Sequence, residues 1–171
     1  MEQKKPINHL IAGLIIAGVL IVFSFAMYFG GLQQSGAGWL QYCIIIGGLM
    51  IFINLYGKAK DSQVGFGDLF AYGFKTAAFL TLIMIAFTVI FFLAFPEIKE
   101  KIFEITRQQM EKSGNLTDDE IEKKLGQLQS SFWVFTIGGV VLVYAIIGAI
   151  GSALGAAITK KKPISSLDQM N

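Results

Sequence analysis

In the stretch Gly65-Phe66-Gly67-Asp68-Leu69-Phe70-Ala71-Tyr72-Gly73-Phe74-Lys75, a carboxylate, a phenol and an ammonium recur at i, i+4 and i+7. That spacing puts Asp68, Tyr72 and Lys75 on one face of a helix. Ionisable groups at a membrane are functional candidates, and these three could contact a lipid headgroup or a small ion. A plain structural account fits as well. The Lys75 stem can lie in hydrocarbon while its ammonium reaches the interface, and Asp68 at the start of a helix complements the dipole.

Little else in the chain has the makings of chemistry. The single His9 opens an apolar run, where an interfacial position explains it more economically than metal binding or catalysis. The single Cys43 lies within another apolar run and lacks the paired spacing of a zinc or redox motif. No Asp, Glu, Lys, Arg or His stands in the middle of any apolar run, and the amides Gln41 and Asn54 lie near opposite ends of one. Coupled transport usually needs buried carboxylates or broken helices at midplane. Hydrolysis needs a nucleophile set, a metal or a carboxylate pair. The expectation is therefore a non-enzymatic protein without cofactor or metal, and transport is disfavoured.

The elements that position these residues follow from composition. The chain has 171 residues, 54% hydrophobic and only 15% charged, against roughly 25% charged in ordinary globular chains. A net charge of +2 without an aromatic-laced basic stripe argues against nucleic acid as a partner. Between Lys5 and Lys58 there is no charge, but the turn-forming stretch from Gly30 to Gly38, through Gln33, Gln34 and Ser35, divides this run into two spans. Apolar runs at 10–29, 39–56, 76–95 and 132–158 match a hydrocarbon core of about 30 Å at about 1.5 Å per residue. The first has no small-residue cleavage site after it and is read as a retained span.

Placing both termini in the cytoplasm puts Lys4, Lys5, Lys58, Lys60, Lys75, Lys160, Lys161 and Lys162 inside, and Lys99, Lys101, Arg107, Lys112, Lys123 and Lys124 outside. Trp39 and Trp133 then anchor the outer boundary and Tyr56 the inner one. The tail 163–171 has no periodic pattern and reads as a disordered cytoplasmic end.

The segment 96–131 holds 14 of the 26 charges. Ile98, Ile102 and Ile105 recur at helical spacing after Pro96, and Ser113-Gly114-Asn115 stops that helix. Thr117-Asp118-Asp119-Glu120 is a capping box that starts a second helix. Its Ile121, Leu125, Leu128 and Phe132 keep one rhythm into the fourth span, which predicts a helix running on unbroken. The two helices form a hairpin whose stripes either pack on each other or dock a partner helix through the same anchors.

Small residues at Gly148, Gly151, Ser152 and Gly155 let helices approach closely, and Gly13-x-x-x-Ala17 in the first span offers a possible counterpart. Packing within the bundle and homo-oligomer formation both use such spacing.

The chain resembles the family known as domain of unknown function 4199, small four-span proteins found mainly in Bacteroidota. The resemblance covers most of the chain. It is carried by Gly65 to Lys75 at the entry to the third span, by Pro96-Glu97, by Glu104 to Gly114, by the capped helix from Thr117, and by the Gly-rich fourth span ending in Lys160-Lys161-Lys162-Pro163. It implies an all-helical fold in a bacterial inner membrane and brings no activity, substrate or catalytic residue. Family members commonly carry Ser or Gln where this chain has Asp68-Leu69, so the resemblance assigns no role to Asp68.

The expected architecture is all-α, a single membrane domain built as a bundle of four transmembrane helices with an extramembrane hairpin at 96–131 between spans 3 and 4. The expected function is a structural or interaction protein of the envelope that docks an envelope protein, or a second copy, through Ile98, Ile102, Ile105, Ile121, Leu125 and Leu128. The alternative is a small channel, transporter or lipid-binding protein using the Asp68, Tyr72, Lys75 face. Membrane lipid is a partner in either case.

Overall fold

The computed structural model describes residues 5–32 and 36–160. Lys4, Gln33, Gln34 and Ser35 of the stretch expected to turn, Lys161, Lys162 and the tail 163–171 lie outside the described residues. The fold is all-α: α1 (His9–Phe29), α2 (Leu40–Ala59), α3 (Phe66–Ala94), α4 (Pro96–Ser113), α5 (Asp118–Ser130) and α6 (Phe132–Ile158), with a short 3-10 turn at Ala37–Trp39 leading into α2.

Four stretches, His9–Phe29, Ala37–Ala59, Phe66–Ala94 and Phe132–Ile158, are long and apolar enough to cross a membrane. This is a multi-pass membrane protein. Its surface says the same, because Leu14, Val22, Ile51, Leu82, Val134 and Leu142 are all more than half exposed. In water such a surface would drive association, whereas hydrocarbon solvates it. Hydroxyls inside the spans are satisfied by their own helix. Thr76 Oγ1 donates to the Tyr72 carbonyl at 2.9 Å, Ser152 Oγ to Gly148 at 2.6 Å and Thr159 Oγ1 to Gly155 at 2.7 Å.

Helix α3 starts ten residues before the apolar run expected at 76, so Asp68, Tyr72 and Lys75 lie within its first three turns. The apolar run marks where charges stop, not where hydrogen bonding starts.

The chain forms two compact units. One contains residues up to Met84 and those from Leu142 onward; the other is Ile85–Val141. The first has a core of single stripes: Ala12, Ile16, Ala17 and Leu20 on α1; Ile45, Leu49 and Ile53 on α2; Leu69, Ala77, Leu80 and Met84 on α3. Glycines set the helix spacing. A Cβ on Gly13 would lie 3.1 Å from the Thr76 carbonyl oxygen, one on Gly148 2.6 Å from Ala77 Cβ, and one on Gly151 or Gly155 within 3.3 Å of a Cα of α2. Such close approaches need the missing side chain. Gly13 and Gly148 thus pack on α3, and Gly151 and Gly155 on α2, so these glycines of α6 meet α3 and α2 where the first span was the expected counterpart.

In the second unit α4 and α5 pack as a hairpin. Gly114 ends α4 at φ 65°, a left-handed stop that favours glycine. Thr117 and Glu120 form the expected capping box. The α5 helix does not run on unbroken, because Ser131 (φ −102°, ψ 8°) interrupts it for one residue before α6 begins at Phe132. Phe132 is the centre of an aromatic cluster, edge-on to Phe92 at 5.1 Å and to Phe103 at 5.7 Å, with Lys99 Nζ 4.9 Å above its ring. That cation–π contact draws a lysine stem over apolar surface.

Candidate functional site

The Asp68, Tyr72, Lys75 face lines one open pocket of about 300 Å³ in the first unit, together with the chain ahead of α1 and Tyr56 of α2. Its shape follows from the helix ends. Asn8 caps α1, its side chain accepting from Leu10 N at 3.2 Å. This turns Pro6 and Ile7 across α3, where the Tyr72 hydroxyl donates to the Ile7 carbonyl oxygen at 3.0 Å. The Tyr72 ring stacks on Tyr56 with centroids 4.2 Å apart and planes 13° from parallel. Tyr72 is therefore buried, tied at both ring and hydroxyl.

Asp68 and Lys75 are both exposed. Asp68 Oδ2 accepts from Gly65 N at 3.4 Å, a weak local contact that helps start α3. Seven residues apart, their Cα atoms are about 10 Å apart along the helix axis, and the two side chains form no ion pair with each other. An ion pair on α4 joins Arg107 to Glu111. Neither the Lys75 ammonium nor the His9 ring has a hydrogen-bond or ion-pair partner among the described residues. The pocket thus carries a cation and an anion at separate points of an aromatic-walled hollow.

The spacing of Asp68, Tyr72 and Lys75 gave one face. It gave neither Ile7, His9 nor Tyr56, which come from other segments. A signal was present, because an up-down-up course brings the start of the first span, the end of the second and the entry to the third to one membrane level.

The hairpin anchors have different surroundings. Ile121 and Leu125 are 3% and 8% exposed and serve as hairpin core. Ile98, Ile105 and Leu128 are half-buried. Ile102 remains 39% exposed, beside a hollow of about 250 Å³ that it lines with Phe103, Thr106 and Leu128. The Lys99–Phe132 contact, absent from any sequence expectation, pairs a loop-proximal lysine with a residue 33 positions away.

Among the described residues, no three His, Cys, Asp or Glu side chains gather to hold a metal ion. No curated protein and no solved structure matches the chain. The family described as protein of unknown function (DUF4199) matches over residues 12–161, which takes in the hairpin and all four spans but for the first three residues of α1, and the chain belongs to that family.

Proposed function

We propose that this membrane protein works by non-covalent binding, holding the polar headgroup of a membrane lipid in the pocket between the N-terminal segment, α2 and α3. One observation carries the reading: Lys75 and Asp68, unpaired with each other, line a single pocket whose wall is the locked Tyr72–Tyr56 stack. A fixed aromatic wall lowers the entropy lost when a ligand orders the site. Lys75 is the last charge before the apolar run, at the depth where an ammonium meets lipid phosphate. The reading takes the pocket as cytoplasmic and the membrane as the bacterial inner membrane, following the Lys/Arg bias and the family resemblance. Its test is Asp68→Asn and Lys75→Met in liposomes. Loss of lipid retention with the helical content intact supports it, and retention unchanged in both variants removes it.

A second reading keeps the hairpin as a docking surface for an envelope protein or another copy. It is favoured by Ile102, an apolar side chain left exposed beside a hollow on a helix rich in Glu, Lys and Gln. Replacing 97–128 by a short linker should leave insertion intact and abolish an association made there.

A further inference from the structure

We infer that the seam of the α4–α5 hairpin, where it passes into α6, holds an anionic phospholipid, with an acyl chain in the hollow beside Ile102 and the phosphate among the donors of Lys124, Gln127 and Ser131. This is a second lipid site, within the second unit, and it stands apart from the headgroup reading of the Tyr72 pocket.

Two hollows follow one another along this seam. The one nearer the span, about 250 Å³, lies between Ile102 and Phe103 of α4 and Phe132 and Thr136 of α6. The one toward the hairpin turn, about 510 Å³, is bordered by Met110 of α4 and by Lys124, Gln127 and Ser131. Leu128 and Phe135 line both, so the hollows adjoin. Lys124, Leu128, Ser131 and Phe135 recur at i, i+4, i+7 and i+11, a stripe that carries the seam from α5 onto the span Phe132–Ile158.

The smaller hollow suits hydrocarbon. Phe135, which lines it, is 66% exposed within a span, so the hollow borders the acyl chains that solvate that face. A helical turn about 5.4 Å long and about 10 Å across fills about 420 Å³, which is too much for this hollow, whereas a single chain is thin enough. Its wall is set in advance, because the Phe132 ring stands edge-on to Phe103 at 5.7 Å and to Phe92 at 5.1 Å, and a fixed wall lowers the entropy lost on binding.

The larger hollow sets the sign of the headgroup. Among the described residues lining the two hollows, Lys124 carries the charge and no carboxylate joins it. Glu120, one turn before Lys124, is held in the capping box, and Glu111 is paired with Arg107. The Lys124 ammonium, the Gln127 amide and the Ser131 hydroxyl have no hydrogen-bond or ion-pair partner among the described residues. All three can donate to a phosphate, the ammonium through a charge-assisted bond. A headgroup with its own ammonium would find no carboxylate along the seam. Ser131 directly precedes the span, at the level where phosphates lie, and the long Lys124 stem can reach toward it.

The test is photo-labelling of the full chain in phosphatidylcholine nanodiscs by phosphatidylglycerol or phosphatidylcholine, each carrying the same diazirine acyl chain, with the labelled residues located by mass spectrometry. The expected result is labelling at 102–106 on the charged helix α4, several-fold stronger from phosphatidylglycerol. Lys124→Gln should bring the phosphatidylglycerol signal down to the phosphatidylcholine level while the hairpin keeps its protease resistance. Labelling confined to the four spans overturns the chain assignment. Equal labelling by the two lipids, or phosphatidylglycerol labelling unchanged in Lys124→Gln, overturns the phosphate assignment. Residues 102–106 belong to the second unit, so either failure leaves the headgroup reading of the Tyr72 pocket standing.

Discussion

The Tyr72 hydroxyl donates to the Ile7 carbonyl oxygen at 3.0 Å, tying the chain ahead of α1 to the first turns of α3 across 65 residues. The same ring stacks on Tyr56, so one side chain links three segments of the pocket wall. Tyr72→Phe removes the hydrogen bond and keeps the stack. It should cost about 1 kcal/mol, the net worth of an ordinary hydrogen bond. The sharper readout is hydrogen exchange over residues 5–12, which should quicken in Tyr72→Phe while the α2 amides do not change. Unaltered protection in that segment would mean the bond does not hold it.

Gly148 and Gly139, both in α6, should respond in opposite senses to alanine. The added Cβ of Gly148→Ala meets Ala77 Cβ at 2.6 Å. That atom is bonded directly to the backbone, so α3 itself must move, at a cost of about 1–3 kcal/mol. Gly139→Ala meets nothing within 4 Å and gains helix propensity, up to about 1 kcal/mol. Denaturation in mild detergent should rank Gly139→Ala at or above the unaltered protein and Gly148→Ala below it. The reverse ranking would show that α6 does not approach α3 through Gly148.

This pair also explains what the sequence could and could not disclose. Charge-free runs fixed the spans because hydrocarbon excludes charge, and 132–158 coincides with α6. They did not fix the start of α3, since a helix may continue into the headgroup layer without being apolar. Small-residue spacing announced close packing, but the partner of Gly148 or Gly13 depends on topology, which no local pattern encodes. In the same way Ile121, Leu125, Leu128 and Phe132 kept one rhythm straight across the interruption at Ser131, because a single irregular residue turns the stripe too little to break it. The pocket was half legible: Asp68, Tyr72 and Lys75 share a helix, whereas Ile7 and Tyr56 arrive from elsewhere.

Ile121 and Ile102 separate hairpin core from hairpin surface. Ile121 is 3% exposed, so Ile121→Ala leaves a cavity and should destabilise the hairpin by about 2–5 kcal/mol. Ile102 is 39% exposed, and Ile102→Ala should alter stability by less than about 0.5 kcal/mol. Protease sensitivity of 96–131 measures both. If Ile102 also anchors a partner, cross-linking in the native membrane should lose a species in Ile102→Ala while the hairpin stays resistant. Identical cross-links in that variant would retire Ile102 as a docking residue.

The capping box gives the hairpin a defined acid response. Glu120 Oε2 accepts from Thr117 N at 2.9 Å and from Thr117 Oγ1 at 3.1 Å, and Glu120 N donates back to Thr117 Oγ1 at 3.4 Å. The Thr117 amide chiefly, then its hydroxyl, hold the Glu120 carboxyl below its ordinary value of 4.5. A group depressed in the folded state binds protons more readily when unfolded, so its contribution is fully present above 4.5 and fades as pH falls through the lower folded value. Amide exchange in the first turn of α5, referenced to α4 in the same molecule, should therefore accelerate on acidification below that point. Glu120→Gln cannot titrate and should flatten this dependence, while Thr117→Ala should raise the exchange of that turn several-fold at neutral pH by removing the cap outright. A pH response that persists in Glu120→Gln would show that it does not arise at Glu120.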